Sequence, residues 1–309
     1  MSKTFGLYRV ERLIGKGGMG EVYAAIHTQI QRRAAIKALN SGLSRDPTLV
    51  TRFLNEARAV NIVSHPSLVN VYEYGQLEDG TPYFVMEYLE GETLHARLHG
   101  LGGKGMEPIE AMQVIRQLAS GLAAAHEKGI IHRDLKPANI MLVPDPETPS
   151  GERVKILDFG IAKILETDGD EQRLTNTDSL LGTPTYMSPE QCRGASQVDD
   201  RSDVYSLGVV LYELLAGRPP FTAPGHGELM MQHMLHPPPP LRELCPSAPE
   251  SVVSLVEVLL AKERSARPTM RQVAQQLESL LAEASQCVAL PLGQRSQLAA
   301  GNPVSHRSL

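Results

Sequence analysis

Two short segments carry residue types that could act together on a phosphorylated substrate. The first reads His132-Arg133-Asp134-Leu135-Lys136-Pro137-Ala138-Asn139, and the second, further along, Asp158-Phe159-Gly160. Asp134 is a candidate proton acceptor with cationic neighbours, and Asn139 and Asp158 are candidate oxygen ligands for a divalent cation. Phosphoryl transfer asks little covalent chemistry of a protein. It needs an oriented hydroxyl, metal-neutralised phosphates and stabilised charge as the terminal group leaves. The alternative for Asp134 is a turn or capping aspartate, a common use in loops. An acid, a base and an amide at this spacing would be an odd way to make a turn, so the chemical reading is favoured.

These groups need a partner that holds phosphates, and Gly15-x-Gly17-x-x-Gly20 offers one. The same spacing opens dinucleotide-binding units, where a helix must follow. Here Val22, Ala24 and Ile26 alternate with period two, which predicts a strand after the glycines and a flap between two strands. Glycines let backbone N–H groups come close to phosphates. Ala35 and Lys37 lie two apart in the strand Ala34–Leu39 and so share a face. If that face meets a nucleotide, Ala35 can touch the base while Lys37 reaches phosphate.

The order and number of these motifs resemble the eukaryotic-type protein kinase superfamily, Ser/Thr branch, and most of all its bacterial members. The resemblance implies an α+β, bilobal fold: a small antiparallel sheet with one main helix, a larger mostly helical lobe, and a nucleotide cleft between. It implies transfer of the ATP γ-phosphoryl group to Ser/Thr hydroxyls, with Mg²⁺ (or Mn²⁺ in its stead) held by Asn139 and Asp158. Catalytic roles fall to Asp134 as base, Lys136 offsetting charge, and Lys37 paired with Glu56 of Asn55-Glu56-Ala57-Arg58. A Lys–Glu pair is a registry device, formed only when the helix sits correctly. Nucleotide contacts are implied for Ile14, Gly15, Lys16, Gly17, Gly18, Met19, Gly20, Glu21, Val22, Ala35 and Lys37. Met86 resembles the gate behind adenine, Glu87 and Leu89 belong to the turn Glu87–Gly91 read as the hinge between the lobes, and Met141 resembles the pocket floor. His132 is assigned a structural role beneath the catalytic loop, and His126 a place in core or surface.

Lys136 together with Thr183 marks the Ser/Thr branch, and Ser188-Pro189-Glu190 matches the family's Ala-Pro-Glu with Ser in the first place. Glu190 is expected to pair with Arg267, and Asp203 to brace the catalytic loop. Arg133 beside Asp134 implies control by phosphorylation, which supplies charge and acceptors that an arginine can bind. Thr175, Thr177 and Ser179 are the candidate sites, with ordinary polar loop residues as the alternative. Two other readings stay open: a pseudokinase that binds nucleotide without chemistry, and a kinase of small molecules. Lys37, Asp134, Asn139 and Asp158 are all present, against the first; the long segment before Glu190 suits a protein substrate, against the second.

The elements that must position these residues are legible as patterns. Strands are predicted at Tyr8–Ile14, Glu21–Ile26 and Tyr83–Met86, and a helix around Phe53–Val63. Ala111, Val114, Ile115, Leu118, Leu122 and Ala125 form one apolar stripe, and Val204–Ala216 is apolar nearly all round, as an interior helix is. Gly217 is a candidate stop for it, Thr269 with Gln272 a capping box, and Pro144–Gly151 a turn-rich insertion. Pro237–Pro240 reads as a stiff connector rather than a polyproline ligand. The catalytic domain is placed at 8–283, with a small lobe at 8–87 and a large lobe at 91–283, and 284–309 as a disordered tail.

Composition bounds the rest. The 309 residues are 42% apolar, with net charge −5, so no overall basic character argues for nucleic acid. Three scattered cysteines suit neither a disulfide framework nor zinc, and with no secretory signal or membrane-length apolar run the expected setting is the cytoplasm. Many bacterial relatives continue into a membrane span and sensor; this chain reads as a soluble member or a shortened one. A transient homodimer through the small lobes is a further implication of the resemblance.

Overall fold

A computed structural model describes residues 3–18, 20–158, 184–194 and 198–289. The first third is a six-stranded antiparallel sheet in the order β1-β2-β3-β4-β6-β5. Its strands are β1 (Thr4–Phe5), β2 (Tyr8–Lys16), β3 (Gly20–His27), β4 (Arg33–Leu39), β5 (Val71–Gln76) and β6 (Pro82–Glu87). Period-two alternation divides β4 between two cores. Ala34, Ile36 and Ala38 pack with Phe5, Tyr23 and Tyr83 on one side. Leu39, on the opposite side, joins Phe53, Ala57 and Phe84. That second cluster fastens α1 (Pro47–Ile62) to the sheet, with the Phe53 and Phe84 ring centroids 4.9 Å apart. Asp46 starts α1 by accepting from the N–H groups of Thr48 and Leu49, and Pro47 follows where no N–H is needed.

After the hinge, β7 (Glu92–Thr93) pairs with β8 (Ile140–Pro144), and β8 with β9 (Glu152–Ile156), in a small three-stranded sheet. The turn-rich Pro144–Gly151 stretch closes the β8–β9 hairpin. Helices make up most of the remainder: α2 (Leu94–Gly100), α3 (Pro108–His126), α4 (Pro189–Arg193), α5 (Asp200–Ala216), α6 (His226–Leu235), short α7 (Leu241–Leu244), α8 (Glu250–Leu259) and α9 (Met270–Ala289). The apolar stripe of α3 is buried against α5 and α9, and α5 is enclosed along nearly its whole length. Gly217 ends α5 at φ 72°, a left-handed turn in which a Cβ would also collide with the Gly103 carbonyl.

One boundary differs from the sequence reading. The last helix runs past Leu281 through Ala284 to Ala289, so the start of the expected tail is helical; residues 290–309 lie outside the described residues. Loss of apolar periodicity signals loss of burial, not loss of helix. No glycine or proline interrupts Met270–Ala289, and Thr269 caps its start by exchanging hydrogen bonds with Gln272 (2.8 and 3.2 Å).

Candidate active site

Lys37 is the convergence point. It lies mid-strand in β4, and its Nζ is 2.7 Å from Glu56 Oε1 on α1 and 2.7 Å from Asp158 Oδ1 of the large lobe. Burial disfavours all three charges. The two carboxylates nevertheless hold the Lys37 ammonium above its usual range, and Lys37 holds Asp158 below the usual carboxylate range. Glu56 is more enclosed: burial pushes its carboxyl up to about 7, Lys37 only partly offsetting it. Asp158 keeps 47% of its side chain exposed, so the cleft side of the cluster is open while the helix side is sealed. The Glu56 position depends on the Phe53–Phe84 contact one turn away, which makes the ion pair a readout of how α1 is seated. Glu56→Gln is therefore expected to lower kcat/KM for ATP-dependent transfer about tenfold to a hundredfold through misplacement of Lys37. Steady-state kinetics with ATP varied would measure it, and an unchanged ratio would count against the registry role.

The large-lobe half is assembled on α5. Asp203 is fully buried, and its Oδ2 accepts from the His132 N–H (2.8 Å) and His126 Nε2 (2.7 Å), its Oδ1 from the Arg133 N–H (2.8 Å). Burial opposes its ionisation, but hydrogen bonds and the His126 ring keep the carboxyl below its usual range. His132 is sealed from solvent. It accepts from the Asp134 N–H at Nδ1 (3.3 Å) and meets the Leu157 carbonyl through Nε2 (3.0 Å), a pattern that suits the Nε2–H tautomer. The ring thus connects the Asp134 loop to the residue before Asp158, and Leu157 N–H donates to the Asn139 carbonyl at 2.9 Å. Asp158 itself sits at φ 45°, a left-handed backbone that a side-chain-bearing residue rarely adopts.

Within the loop, Lys136 Nζ donates to Asp134 Oδ2 at 2.8 Å, and Asn139 Nδ2 donates to the Asp134 carbonyl (2.9 Å) and to Oδ2 (3.2 Å). With its nitrogen turned to Asp134, Asn139 has its amide oxygen left for another partner. An amide oxygen and a carboxylate are hard donors suited to Mg²⁺, which keeps waters and substrate phosphates for its other positions. The donor set therefore fits the cation that the sequence implied.

Gly15 to Gly20 lie at the β2–β3 hairpin, with Gly15 opposite Val22 and Lys16 opposite Glu21, so a strand follows the glycines. Gly20 has a second reason to be glycine: a Cβ there would strike the Ala38 carbonyl of β4. Asn40 Nδ2 donates to the Gly18 carbonyl at 3.1 Å and ties the loop to the end of β4, a contact no motif signalled. Ile14 is exposed, Ala35 is buried opposite Met86, and Leu89 packs on the large-lobe core. Met141 lies in β8 beside Lys155 of β9. Met19 lies outside the described residues. The Glu87 carboxylate turns to Lys155 Nζ (2.6 Å) and the Asn70 N–H (2.9 Å). Lys155 also donates to the Leu68 carbonyl at 3.2 Å.

Glu190 receives a bidentate pair from Arg267 (2.7 and 3.0 Å) and a hydrogen bond from Ser202 (2.6 Å). Phe159, Gly160, Thr175, Thr177, Ser179 and Thr183 lie outside the described residues.

A sheet lysine shared between a helix glutamate and an aspartate of the large lobe, together with an Asp-x-Lys-x-x-Asn loop braced from α5, defines the class: a two-lobed protein whose lobes meet at Lys37 and Asp158. The protein kinase domain family matches residues 8–277, and the chain belongs to it. Curated relatives include the serine/threonine-protein kinase pkn2 of Myxococcus xanthus, 42% identical over 281 residues that cover 90% of this chain and 32% of that one. PknA of Mycobacterium tuberculosis is 40% identical over 270 residues, 86% of this chain and 58% of the relative. The chain thus spans a third to three-fifths of those relatives' length. Among solved structures, the Mycobacterium tuberculosis PknI kinase domain matches with a TM-score of 0.67 at 25% identity, covering 90% of this chain and 98% of that one.

Proposed function

We propose that the chain is a protein Ser/Thr kinase that transfers the γ-phosphoryl group of ATP to Ser/Thr hydroxyls, with residues 8–283 as its catalytic domain. What carries the reading is the Lys37–Glu56–Asp158 cluster, which joins the small lobe to the segment hydrogen-bonded to the Asp134 loop. Asp134 orients the attacking hydroxyl and takes its proton as the P–O bond to ADP breaks. Lys136, already on the Asp134 carboxylate, balances charge on the phosphoryl group in flight. Lys37 reaches the α- and β-phosphates. Asn139 and Asp158 would hold Mg²⁺, which when bound would neutralise charge on the phosphates. Autophosphorylation at Thr175, Thr177 or Ser179 completes the reading, with Arg133 as receptor of the phosphate. On this reading the chain acts in the cytoplasm on protein substrates and pairs transiently through its small lobes. Among the described residues no helix is long and apolar enough to cross a membrane.

Incubation with γ-labelled ATP, Mg²⁺ and a Ser/Thr-rich protein, followed by peptide mapping, tests it. Label is expected on Ser and Thr of the substrate and on the 175–179 segment. Nucleotide binding without transfer under any divalent cation would leave a pseudokinase, and transfer only to a small-molecule acceptor would overturn the protein-substrate assignment.

A further inference from the structure

The peptide before the candidate base is bent the hard way. Arg133 has φ 64°, a left-handed conformation that a residue with a Cβ holds only when its surroundings enforce it. Two side chains from different helices grip its backbone. Asp203 of α5 accepts from the N–H at 2.8 Å. Gln191 of α4 donates from Nε2 to the carbonyl at 2.8 Å. Nothing in the Asp134 motif points to the second grip.

The Gln191 side chain is held at both ends. Its Oε1 accepts from the Ser188 N–H at 2.9 Å, while Ser188 Oγ accepts from the Gln191 N–H at 3.3 Å, a reciprocal cap on α4. The chemistry demands an amide here, with one acceptor facing an N–H and one donor facing a C=O. Flipping the amide would set donor against donor and oxygen against oxygen, so the network itself fixes the orientation. The neighbouring residue, Glu190, is locked to Arg267, so α4 is a rigid mount.

We propose that Gln191 is a positioning residue that ties the helix closing the substrate platform to the peptide carrying Asp134. Seating of α4 then sets the aim of the base. This rests on the reading of Asp134 given above. Two variants separate the tether from the cap. Gln191→Glu keeps an acceptor for the Ser188 N–H but cannot donate to Arg133; Gln191→Met, close in shape and neutral, loses both bonds.

Phosphorylation of a Ser/Thr peptide is measured for the wild type and both variants, alongside thermal unfolding and Asp134→Asn. Each Gln191 variant is expected to lower kcat about tenfold, since small displacements of a positioned group cost one to two decades. The KM for ATP should stay within about twofold, because the nucleotide touches other residues. Tm should fall in both variants, because each takes the donor from the Arg133 carbonyl. Wild-type kcat in either variant overturns the tether, including the case in which only the charged variant is slow. An inactive Asp134→Asn beside fully active Gln191 variants removes the tether alone. A fully active Asp134→Asn removes the base assignment beneath it.

Discussion

Replacing Asp134 with asparagine is expected to lower kcat by about 10³, the middle of the range for a positioned general base. The carboxylate lies where Lys136 Nζ (2.8 Å) and Asn139 Nδ2 (3.2 Å) both reach its Oδ2. An asparagine oxygen can still accept from both, so the loop should keep its form and Tm should not move. What is lost is the ability to take a proton from the attacking hydroxyl. The nucleotide is held by other groups, with Lys37 on the opposite lobe, so the KM for ATP should change little. Labelled-ATP transfer with the two proteins at equal concentration measures it. Equal label in both would defeat the assignment of Asp134 as base.

Arg267→Met is expected to have the largest effect on stability, about 3–5 kcal/mol, the cost of leaving one partner of a buried ion pair alone. The Arg267 side chain is 0% exposed and that of Glu190 4%. Removing the guanidinium leaves the Glu190 carboxylate with the Ser202 hydroxyl, and also strips donors from the carbonyls of Ala261, Lys262 and Arg201. The pH dependence follows from the same pair. Burial alone would raise Glu190, but Arg267 and Ser202 hold its carboxyl below the usual range. The folded state therefore binds fewer protons than the unfolded chain. Its contribution is fully present above the unfolded pKa, about 4.3, and is lost as pH falls through the lower folded value. Urea unfolding at neutral and acid pH should show the gap between wild type and variant narrowing below about pH 4. A gap that is absent, or that stays constant with pH, would remove the ion pair as the source.

How far the site was legible in the sequence depends on what kind of signal each residue leaves. Alternation placed Ala35 and Lys37 on one face of β4, and the structure sets them on the side opposite Ile36. The apolar stripe of α3 and the all-round apolarity of α5 encoded burial directly, and both helices are interior. Glu56 is one choice among helix charges until α1 is docked; the cluster of Phe53 and Ala57 with Leu39 and Phe84 seats α1 with this carboxylate at Lys37. Gln191, Asn40 and Lys155 carried no pattern at all, because each acts on backbone or a side chain far away in the chain. The extent of α9 leaves little signal for a related reason: Glu283, Ser285 and Gln286 are exposed, and burial is what periodicity reports.

By itself, the order of residues determined which groups could do chemistry and which local elements would carry them, because backbone propensity and hydrophobic period are short-range properties of the chain. Tertiary structure decided which of those groups share a charge. Lys37 and Asp158 are 121 positions apart, and Glu190 and Arg267 77. The first meeting depends on packing the small lobe against the large one and the second on packing within the large lobe, energies distributed over many side chains and written in no single motif.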